Sequence, residues 1–393
     1  MGDFYEESGK SFEKFRGGYQ SSSRSSNLEL FRIITMFLIV AHHYVVNSGL
    51  TLVDGPMYAN PTSWKELFLF VFGAWGKIGI NCFVLITGYF MCTSHITVKK
   101  YLKLLIEIIF YKLVIYFIFL LSGYEPFSVK GFISAVLPIT DVAQGFTSCF
   151  LLFYLCIPFL NIMIEHLNEK QHLYLLLLLS FIYIFFGTFR VMGMGVDMNY
   201  VSWFMVIYLM AAYIRKYPKE IFEKERFWKW MMIGTVSLAV LSVVVCVWIG
   251  SHLNLRLAYF FVTDSNTFLA VVTALSAFMY FKNLKMKNSK FINTVAASTF
   301  GVLLIHANSD TMRRWLWQDV LHNVEVYDTA YLVPHAVLSV LAIYVICTII
   351  DYLRIRFIEK PFFVFWDKHE SVLVSKYRTI ESAICRKLQI GED

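Results

Sequence analysis

Residues 28–45 read LELFRIITMFLIVAHHYV and predict a helix long enough to cross a lipid bilayer. The hydrocarbon core of a bilayer requires about 20 mostly apolar residues in helical conformation. The same stretch contains Glu29, Arg32, His42 and His43, although an ionisable side chain is costly in lipid. An ionisable residue inside a membrane span is therefore a candidate for function. This stretch predicts both a membrane fold and a site within it.

The composition of the whole chain supports a membrane protein. The chain has 393 residues, of which 58% are apolar and 16% charged. Soluble domains have about 45–50% apolar and about 25% charged residues, so this apolar surplus exceeds what one soluble core hides. The composition excludes a disordered chain and a nucleic-acid-binding module. The seven cysteines are an odd number without a CxxC pair, so we expect neither a disulfide framework nor a metal site.

Ten segments qualify, or nearly qualify, as membrane-spanning helices. They cover 28–47, 67–91, 101–122, 147–164, 173–189, 200–214, 230–250, 264–281, 291–308 and 331–353. With a cytoplasmic N-terminus, 26 of the 35 Lys and Arg residues fall in inside segments and 6 in outside segments. This bias follows the positive-inside rule. We predict an all-α transmembrane bundle of about ten spans with both termini cytoplasmic, and nine or eleven spans are the alternatives.

The span pattern divides the chain into three parts. Residues 1–27 are polar and rich in Ser and Gly, which predicts a disordered cytoplasmic head. Residues 28–365 form the membrane domain, and residues 366–393 form a cytoplasmic tail.

Two of the polar residues of the first span share a helical face. Arg32 and His43 are eleven residues apart, which is three turns plus about 20°, so both side chains lie on one face about 16 Å apart along the axis. His42 points about 100° away. Two plainer interpretations exist: Arg32 is an interfacial arginine paired with Glu29, and His43 lies near the outer headgroups. The two residues together on one face favour a site.

Two further spans carry polar pairs at a spacing of four residues. Lys77 and Asn81 share a face of the second span, and either a packing helix or a site explains them. His306 and Asp310 lie near the end of the ninth span. Either the carboxylate orients the imidazole for base catalysis, or the two residues form a polar pair at the membrane surface. The sequence leaves these alternatives open.

Five stretches, in order along the chain, resemble a known family. They are FRIITMFLIVAHHY (31–44), GKIGINCFVLITGYF (76–90), SWFMVIYLMAAYIRKYP (202–218), STFGVLLIH (298–306) and RIRFIEKPFF (354–363). The chain resembles the membrane-bound acyltransferase 3 family, ten-span bacterial enzymes that O-acylate cell-surface carbohydrates. The resemblance covers residues 28 to about 365. The family's Arg-x10-His signature corresponds to Arg32 and His43.

The resemblance implies transfer of an acyl group, most often acetyl, from acyl-CoA to a sugar hydroxyl. It implies that His43 is the general base and that Arg32 binds the donor phosphates. Lys100 and Lys103, where the family usually has Arg-x-x-Arg, keep the charge but lose the bidentate fork. Acyl transfer also needs oxyanion or acceptor contacts, for which the candidates are Lys77, Asn81, His306 and Asp310.

The expected location is the plasma membrane of a bacterium. The expected partners are acetyl-CoA as the donor substrate, a surface polysaccharide or lipid-linked sugar, and membrane lipid. No nucleic acid and no metal are expected, and a homo-oligomer stays an open alternative. A transporter or flippase of a lipid-linked sugar is the main rival function, although we find no repeat symmetry of the transporter kind. A non-catalytic assembly or sensor protein is a third alternative.

Overall fold

The computed structural model describes residues 25–52, 54–59, 62–94, 96–139, 145–189 and 198–369. The regular structure in these ranges is helical and contains no strand, which confirms the predicted all-α class. The helices are α1 Ser26–Val46, α2 Trp64–Gly73, α3 Gly76–Met91, α4 Val98–Leu121, α5 Val129–Val136, α6 Phe146–His166, α7 Glu169–Ser180, α8 Tyr200–Lys216, α9 Glu225–Leu253, α10 Phe268–Asn283, α11 Lys290–Ala297, α12 Thr299–His306, α13 Asp310–Arg314, α14 Asn323–Val326 and α15 Leu332–Arg354.

Turns of tighter or wider helix complete the regular structure. Short 3₁₀ turns lie at Pro56–Tyr58 and Glu220–Glu223. Wider π-helical turns at Phe181–Phe185, Trp315–Val320 and Ile355–Glu359 extend α7, α13 and α15. Through these turns α7 continues to Thr188 and α15 continues to His369.

Each of the ten predicted spans contains a helix. Within the described ranges, seven helical stretches are long and apolar enough to cross a membrane: Ser26–Val46, Trp64–Met91, Val98–Leu121, Phe146–His166, Glu169–Thr188, Glu225–Leu253 and Leu332–His369. An eighth candidate is the pair Lys290–His306 and Asp310–Val320, which is bent by 93°. The sixth and eighth predicted spans form the shorter helices α8 and α10, of 17 and 16 residues. The ten-span count and the orientation stay predictions.

Some predicted helix boundaries differ from the observed ones. Helix α10 begins at Phe268 rather than at residue 264, and the hydroxyl of its N-cap Thr267 donates back to the carbonyl of Asp264. Helix α2 begins earlier than predicted, at Trp64, because the Ser63 hydroxyl accepts a hydrogen bond from the backbone N–H of Glu66. The last helix runs past residue 365, the predicted end of the membrane domain, to His369. The rest of the predicted head and tail, 1–24 and 370–393, lies outside the described residues.

Helix α1 lies at the centre of the bundle. It packs against α2, α3, α10, α11, α12 and α15. Because other helices surround it, its side chains Met36, Val40 and Tyr44 are fully buried. The polar residues near its C-terminal end are therefore enclosed by other helices.

The second membrane-spanning stretch is broken beside α1. Helix α2 ends at Gly73, and α3 begins at Gly76. A Cβ atom on Gly76 would lie 2.2 Å from Cδ2 of His42, so only glycine leaves room for that imidazole. The Nδ1–H of His42 donates to the carbonyl of Gly73, 2.5 Å away. The break thus satisfies a free helix-end carbonyl with a side chain of α1.

Candidate active site

A cavity of about 590 Å³ lies between α1, α3, α4, α6 and the α12–α13 bend. The chemically active side chains on its wall are His42, His43, Lys77, Lys112, Asp310 and Arg313. Hydroxyl and amide groups line it further, at Ser134, Thr147, Ser148, Asn308 and Ser309. A cavity with converging titratable groups is the arrangement typical of an active site.

His43 is held by a second histidine. Its Nδ1 lies 2.9 Å from Nε2 of His306, which comes from the end of α12. Nδ1 of His306 lies 2.6 Å from the carbonyl oxygen of Val302, one turn earlier in the same helix. The site therefore contains a chain of hydrogen bonds from His43 through His306 to the backbone.

The carbonyl at the end of this chain sets the protonation pattern. A carbonyl only accepts, so Nδ1 of His306 carries the hydrogen, and Nε2 of a neutral His306 is an acceptor. Nδ1 of His43 must then be the donor to His306. The lone pair of His43 is consequently on Nε2, at the other side of a ring that lines the cavity. This is the arrangement that a general base requires.

Asp310 does not orient His306, which was one of the alternatives that the sequence left open. The imidazole of His306 is fully buried and lies nearly perpendicular to the Trp317 ring, with ring centroids 6.4 Å apart. The carboxylate of Asp310 instead accepts from Arg313 at 2.9 Å and is 98% exposed. The His306–Asp310 pairing is wrong because α12 ends at His306 and the chain turns sharply before Asp310. Asp310 still lines the cavity.

His42 also faces the cavity, so the prediction that it points elsewhere is wrong. The rings of His42 and His43 are 5.7 Å apart, and both line the cavity wall. Gly76, which has no side chain, leaves room for the His42 ring beside the break between α2 and α3. Since Nδ1–H of His42 is bonded to Gly73, its ring also joins α1 to the broken stretch.

Lys77 and Asn81 share a face of α3 in the sequence pattern but have different environments. The Lys77 ammonium donates to the Tyr200 hydroxyl at 2.6 Å and lies 5.3 Å from the centre of the Tyr200 ring. Asn81 is fully buried, donates to the carbonyl of Ser265 at 2.6 Å and accepts from the Trp203 indole at 2.9 Å. Asn81 therefore joins helices, and its contact with the oxyanion or acceptor stays a prediction.

The predicted donor-binding residues lie away from the cavity wall. Arg32 pairs with Glu29 at 3.1 Å, near the N-terminal end of α1. Lys100 donates to the Ser94 hydroxyl at 2.8 Å, and Lys103 pairs with Glu359 at 2.6 Å. All of these cations lie near the N-terminal ends of α1 and α4, and the predicted orientation places those ends in the cytoplasm. Their role towards acyl-CoA stays a prediction.

Lys103 borders a buried ionic cluster that the sequence analysis missed. Arg354 donates to Asp351 at 2.8 Å, to Glu359 at 2.9 Å and to Glu107 at 3.0 Å. Glu107 and Asp351 are carboxylates inside apolar runs, which is a signal that the span pattern offered. Each carboxylate of the cluster is held by the guanidinium, so α4 and α15 are tied together at this end of the bundle.

Lys112 and Arg313 are two further cavity residues that the sequence analysis did not select. Lys112 lies near the middle of α4, where a cation inside a span was visible in the sequence. Arg313 lies in α13, beyond the 93° bend, and nothing in the sequence predicts that bend or the return of Arg313 to the cavity.

Comparison with known proteins gives a match to a protein family. A protein-family model described as an acyltransferase domain matches residues 25–352. No curated protein and no solved structure matches the chain. The match contains α1 with His43 and Arg32, the whole cavity wall and nearly all of α15.

Proposed function

The chain belongs to the acyltransferase 3 family, and we propose from this premise that it transfers an acyl group from acyl-CoA to a carbohydrate hydroxyl. The acyl group in this proposal is acetyl, and no metal takes part. The acceptor is a cell-surface polysaccharide or its lipid-linked precursor, in the plasma membrane of a bacterium. The observation that carries the proposal is the hydrogen bond from His43 to His306, which leaves Nε2 of His43 as the acceptor in a polar cavity.

The reaction starts with the lone pair on Nε2 of His43. This nitrogen takes the proton of the acceptor hydroxyl while the hydroxyl oxygen bonds to the thioester carbonyl carbon. The tetrahedral intermediate then breaks its C–S bond, and the leaving thiolate of CoA takes the proton back from Nε2. The products are an O-acyl ester and free CoA thiol. General base catalysis by a positioned imidazole is typically worth about 10²–10⁴-fold in rate.

His306 is a positioning residue in this mechanism. It accepts the Nδ1–H of His43 and thereby keeps one tautomer and one ring orientation. When His43 becomes positively charged, the same hydrogen bond becomes charge-assisted and therefore stronger. Its own Nδ1–H is fixed by the backbone of Val302, so His306 is held in the accepting state.

The donor enters this proposal from the opposite end of α1. Arg32 and His43 lie about 16 Å apart along the helix axis. Phosphates of acyl-CoA at Arg32, Lys100 and Lys103 would leave the acyl-carrying arm to extend along α1 towards His43. Arginine and lysine are the side chains that commonly bind phosphates. Lys103 would have to exchange its present partner Glu359 for a phosphate.

Thiol release tests the proposed reaction against the transporter alternative. The full chain is placed in lipid nanodiscs with acetyl-CoA and a bacterial envelope glycan extract, and free CoA is read with a thiol reagent. We expect release that depends on the extract and that falls about 10²–10⁴-fold in His43→Ala. The matched control is His252→Ala, since His252 is an exposed histidine at the end of α9.

Three results would overturn the proposal. No thiol release at all would favour a transporter or a non-catalytic protein. Thiol release that does not depend on any extract would show hydrolysis of the thioester by water instead of transfer to a carbohydrate. Equal rates in His43→Ala and the wild type would refute the role of His43 as base.

A further inference from the structure

A lysine and a tyrosine form a hydrogen-bonded pair on the wall of the candidate active site. The Nζ atom of Lys77, in α3, lies 2.6 Å from the hydroxyl oxygen of Tyr200, the first residue of α8. Both side chains line the same cavity as His43. The reaction steps given above use neither of them.

The Lys77 ammonium determines what the Tyr200 hydroxyl can still do. An ammonium has three donors and no acceptor, so the Tyr200 oxygen accepts this hydrogen bond. The O–H of Tyr200 therefore needs an acceptor of its own. Within the part of the chain that the structure describes, Lys77 is the one hydrogen-bond partner of this hydroxyl. The O–H can consequently donate to a molecule bound in the cavity.

The Tyr200 ring is held in place by its neighbours. It is buried and stacks on Phe204, with ring centroids 5.5 Å apart and planes 21° apart. Phe204 in turn contacts Phe146 of α6, with ring centroids 5.6 Å apart. A donor that is fixed before the reaction needs no reorganisation during it, which is the property of an effective oxyanion hole.

The pair reaches the cavity next to the part of α1 that carries the base. A Cβ atom on Gly76 would lie 2.2 Å from Cδ2 of His42, so the residue before Lys77 touches the residue before His43. Lys77 is also close enough to both histidines to interact with them electrostatically. The pair and the base therefore share one reaction space of about 590 Å³.

Acyl transfer requires a donor of this kind. Attack on the thioester carbon moves negative charge onto the former carbonyl oxygen, and fixed donors stabilise that charge. His43 takes the proton of the attacking hydroxyl, so a different group has to serve this oxygen. Hydrogen bonds in a chain polarise one another, which makes a phenol that accepts from an ammonium a stronger donor.

We propose that the Tyr200 hydroxyl donates a hydrogen bond to the oxyanion of the tetrahedral intermediate, and that Lys77 positions and polarises this hydroxyl. The inference rests on the proposed acyl transfer and adds a catalytic residue to it. As the attacking oxygen bonds to the carbonyl carbon, one electron pair of the C=O bond moves to the carbonyl oxygen. The Tyr200 proton stays on the phenol throughout. When the C–S bond breaks, the electron pair returns and the C=O bond forms again.

Tyr200→Phe tests the proposal, because it removes the hydroxyl and keeps the ring. We expect kcat for thiol release to fall about 10²–10³-fold, the usual loss for one oxyanion donor. The KM values for acetyl-CoA and for the glycan extract should stay unchanged, since the hydrogen bond acts on the intermediate. The matched control is Tyr208→Phe in the same helix. Tyr208 donates to Asn161 at 2.5 Å and is not a cavity-lining residue, so kcat should stay at the wild-type value.

A donor analogue separates an oxyanion contact from a loss of folded protein. In dithioacetyl-CoA a sulfur, which is a weak acceptor, replaces the carbonyl oxygen. The ratio of kcat for acetyl-CoA to kcat for the analogue does not depend on the folded fraction of a sample. This ratio should be about tenfold higher for the wild type than for free imidazole in water, which is the order of one hydrogen bond to a charged group. Tyr200→Phe should lose that excess, and His43→Ala should retain it.

The role of Lys77 is tested with Lys77→Met, which removes the ammonium from a side chain of similar length. We expect kcat to fall less than in Tyr200→Phe, because the phenol keeps its O–H. Since Lys77 acts through Tyr200, the variant with both substitutions should be no slower than Tyr200→Phe alone. A double loss equal to the product of the single losses would show that Lys77 acts independently.

The outcomes distinguish this inference from the proposed function. If the wild type releases thiol and Tyr200→Phe does so at the same kcat, the oxyanion role is refuted and acyl transfer stands. An unchanged oxygen-to-sulfur ratio in Tyr200→Phe, or a wild-type ratio equal to that of imidazole, would also refute the oxyanion role. A loss confined to the KM for the glycan would make Tyr200 an acceptor-binding residue instead. No thiol release by the wild type would refute acyl transfer and this inference together.

Discussion

Replacing His306 by alanine removes the hydrogen-bond acceptor of the proposed base while leaving the base in place. A neutral hydrogen bond contributes about 1 kcal/mol, whereas one to a charged group contributes about 1.5–3 kcal/mol. The difference, which is realised only when His43 is protonated, is therefore about 0.5–2 kcal/mol, or roughly 2- to 30-fold in rate. Loss of tautomer and ring orientation adds to this, so we expect kcat to fall about 10- to 100-fold.

The assay compares kcat for thiol release among His306→Ala, His306→Gln, His43→Ala and the variant with both alanines. Glutamine can still accept from Nδ1–H of His43 through its side-chain carbonyl, so His306→Gln should recover part of the lost rate. Because His306 acts through His43, the double variant should be no slower than His43→Ala alone.

Two results would refute this reasoning about His306. A normal kcat in His306→Ala would show that the 2.9 Å contact has no catalytic role. A double variant whose loss equals the product of the two single losses would show that the histidines act independently.

Three further substitutions test the packing and the donor site. Arg354→Ala leaves buried carboxylates without their guanidinium partner, and thermal unfolding in detergent should show a loss of about 3–5 kcal/mol, which an unchanged midpoint would contradict. Gly76→Ala places a Cβ atom 2.2 Å from Cδ2 of His42, so the free energy of unfolding should fall by about 1–3 kcal/mol. Adding His42→Ala should recover part of this loss, and no recovery would contradict the clash. Arg32→Ala should weaken CoA binding by calorimetry with an unchanged unfolding temperature, whereas Lys100→Arg should be tolerated; equal CoA affinity in Arg32→Ala would refute the donor assignment.

The sequence predicted the all-α fold class because that class follows from local patterns. Apolar runs and loop charges located ten helical segments, and each contains a helix. The position of His43 near the end of one continuous apolar helix also followed from the sequence, and that end of the helix lines the cavity. Periodicity within a single helix is a property of the sequence alone, which explains this part of the result.

The contacts between helices could not be predicted in the same way. Asn81 has the spacing of a site residue, but its partners Trp203 and Ser265 come from distant segments. His306 and Asp310 have the spacing of a pair in a continuous helix, and the bend after α12 separates them. A helical pattern gives the direction of a side chain only while the helix continues.

The buried ionic cluster shows a second limit of the sequence analysis. Glu107 and Arg354 are 247 residues apart along the chain and 3.0 Å apart in the structure. The pattern identifies each as an ionisable residue in or beside a span, but it does not pair them. The hydrogen bond between His43 and His306 is of the same kind, since it joins residues 263 positions apart.

Label transfer from acetyl-CoA to envelope glycan is the most direct test of the central claim. The full chain in nanodiscs receives acetyl-CoA labelled in the acetyl group together with the glycan extract, and alkali-labile label on the glycan is counted. We expect labelled O-ester for the wild type and for His252→Ala, and a reduction of about 10²–10⁴-fold for His43→Ala. Labelled ester formed equally by His43→Ala, or wild-type protein that moves glycan without forming any ester, would contradict it.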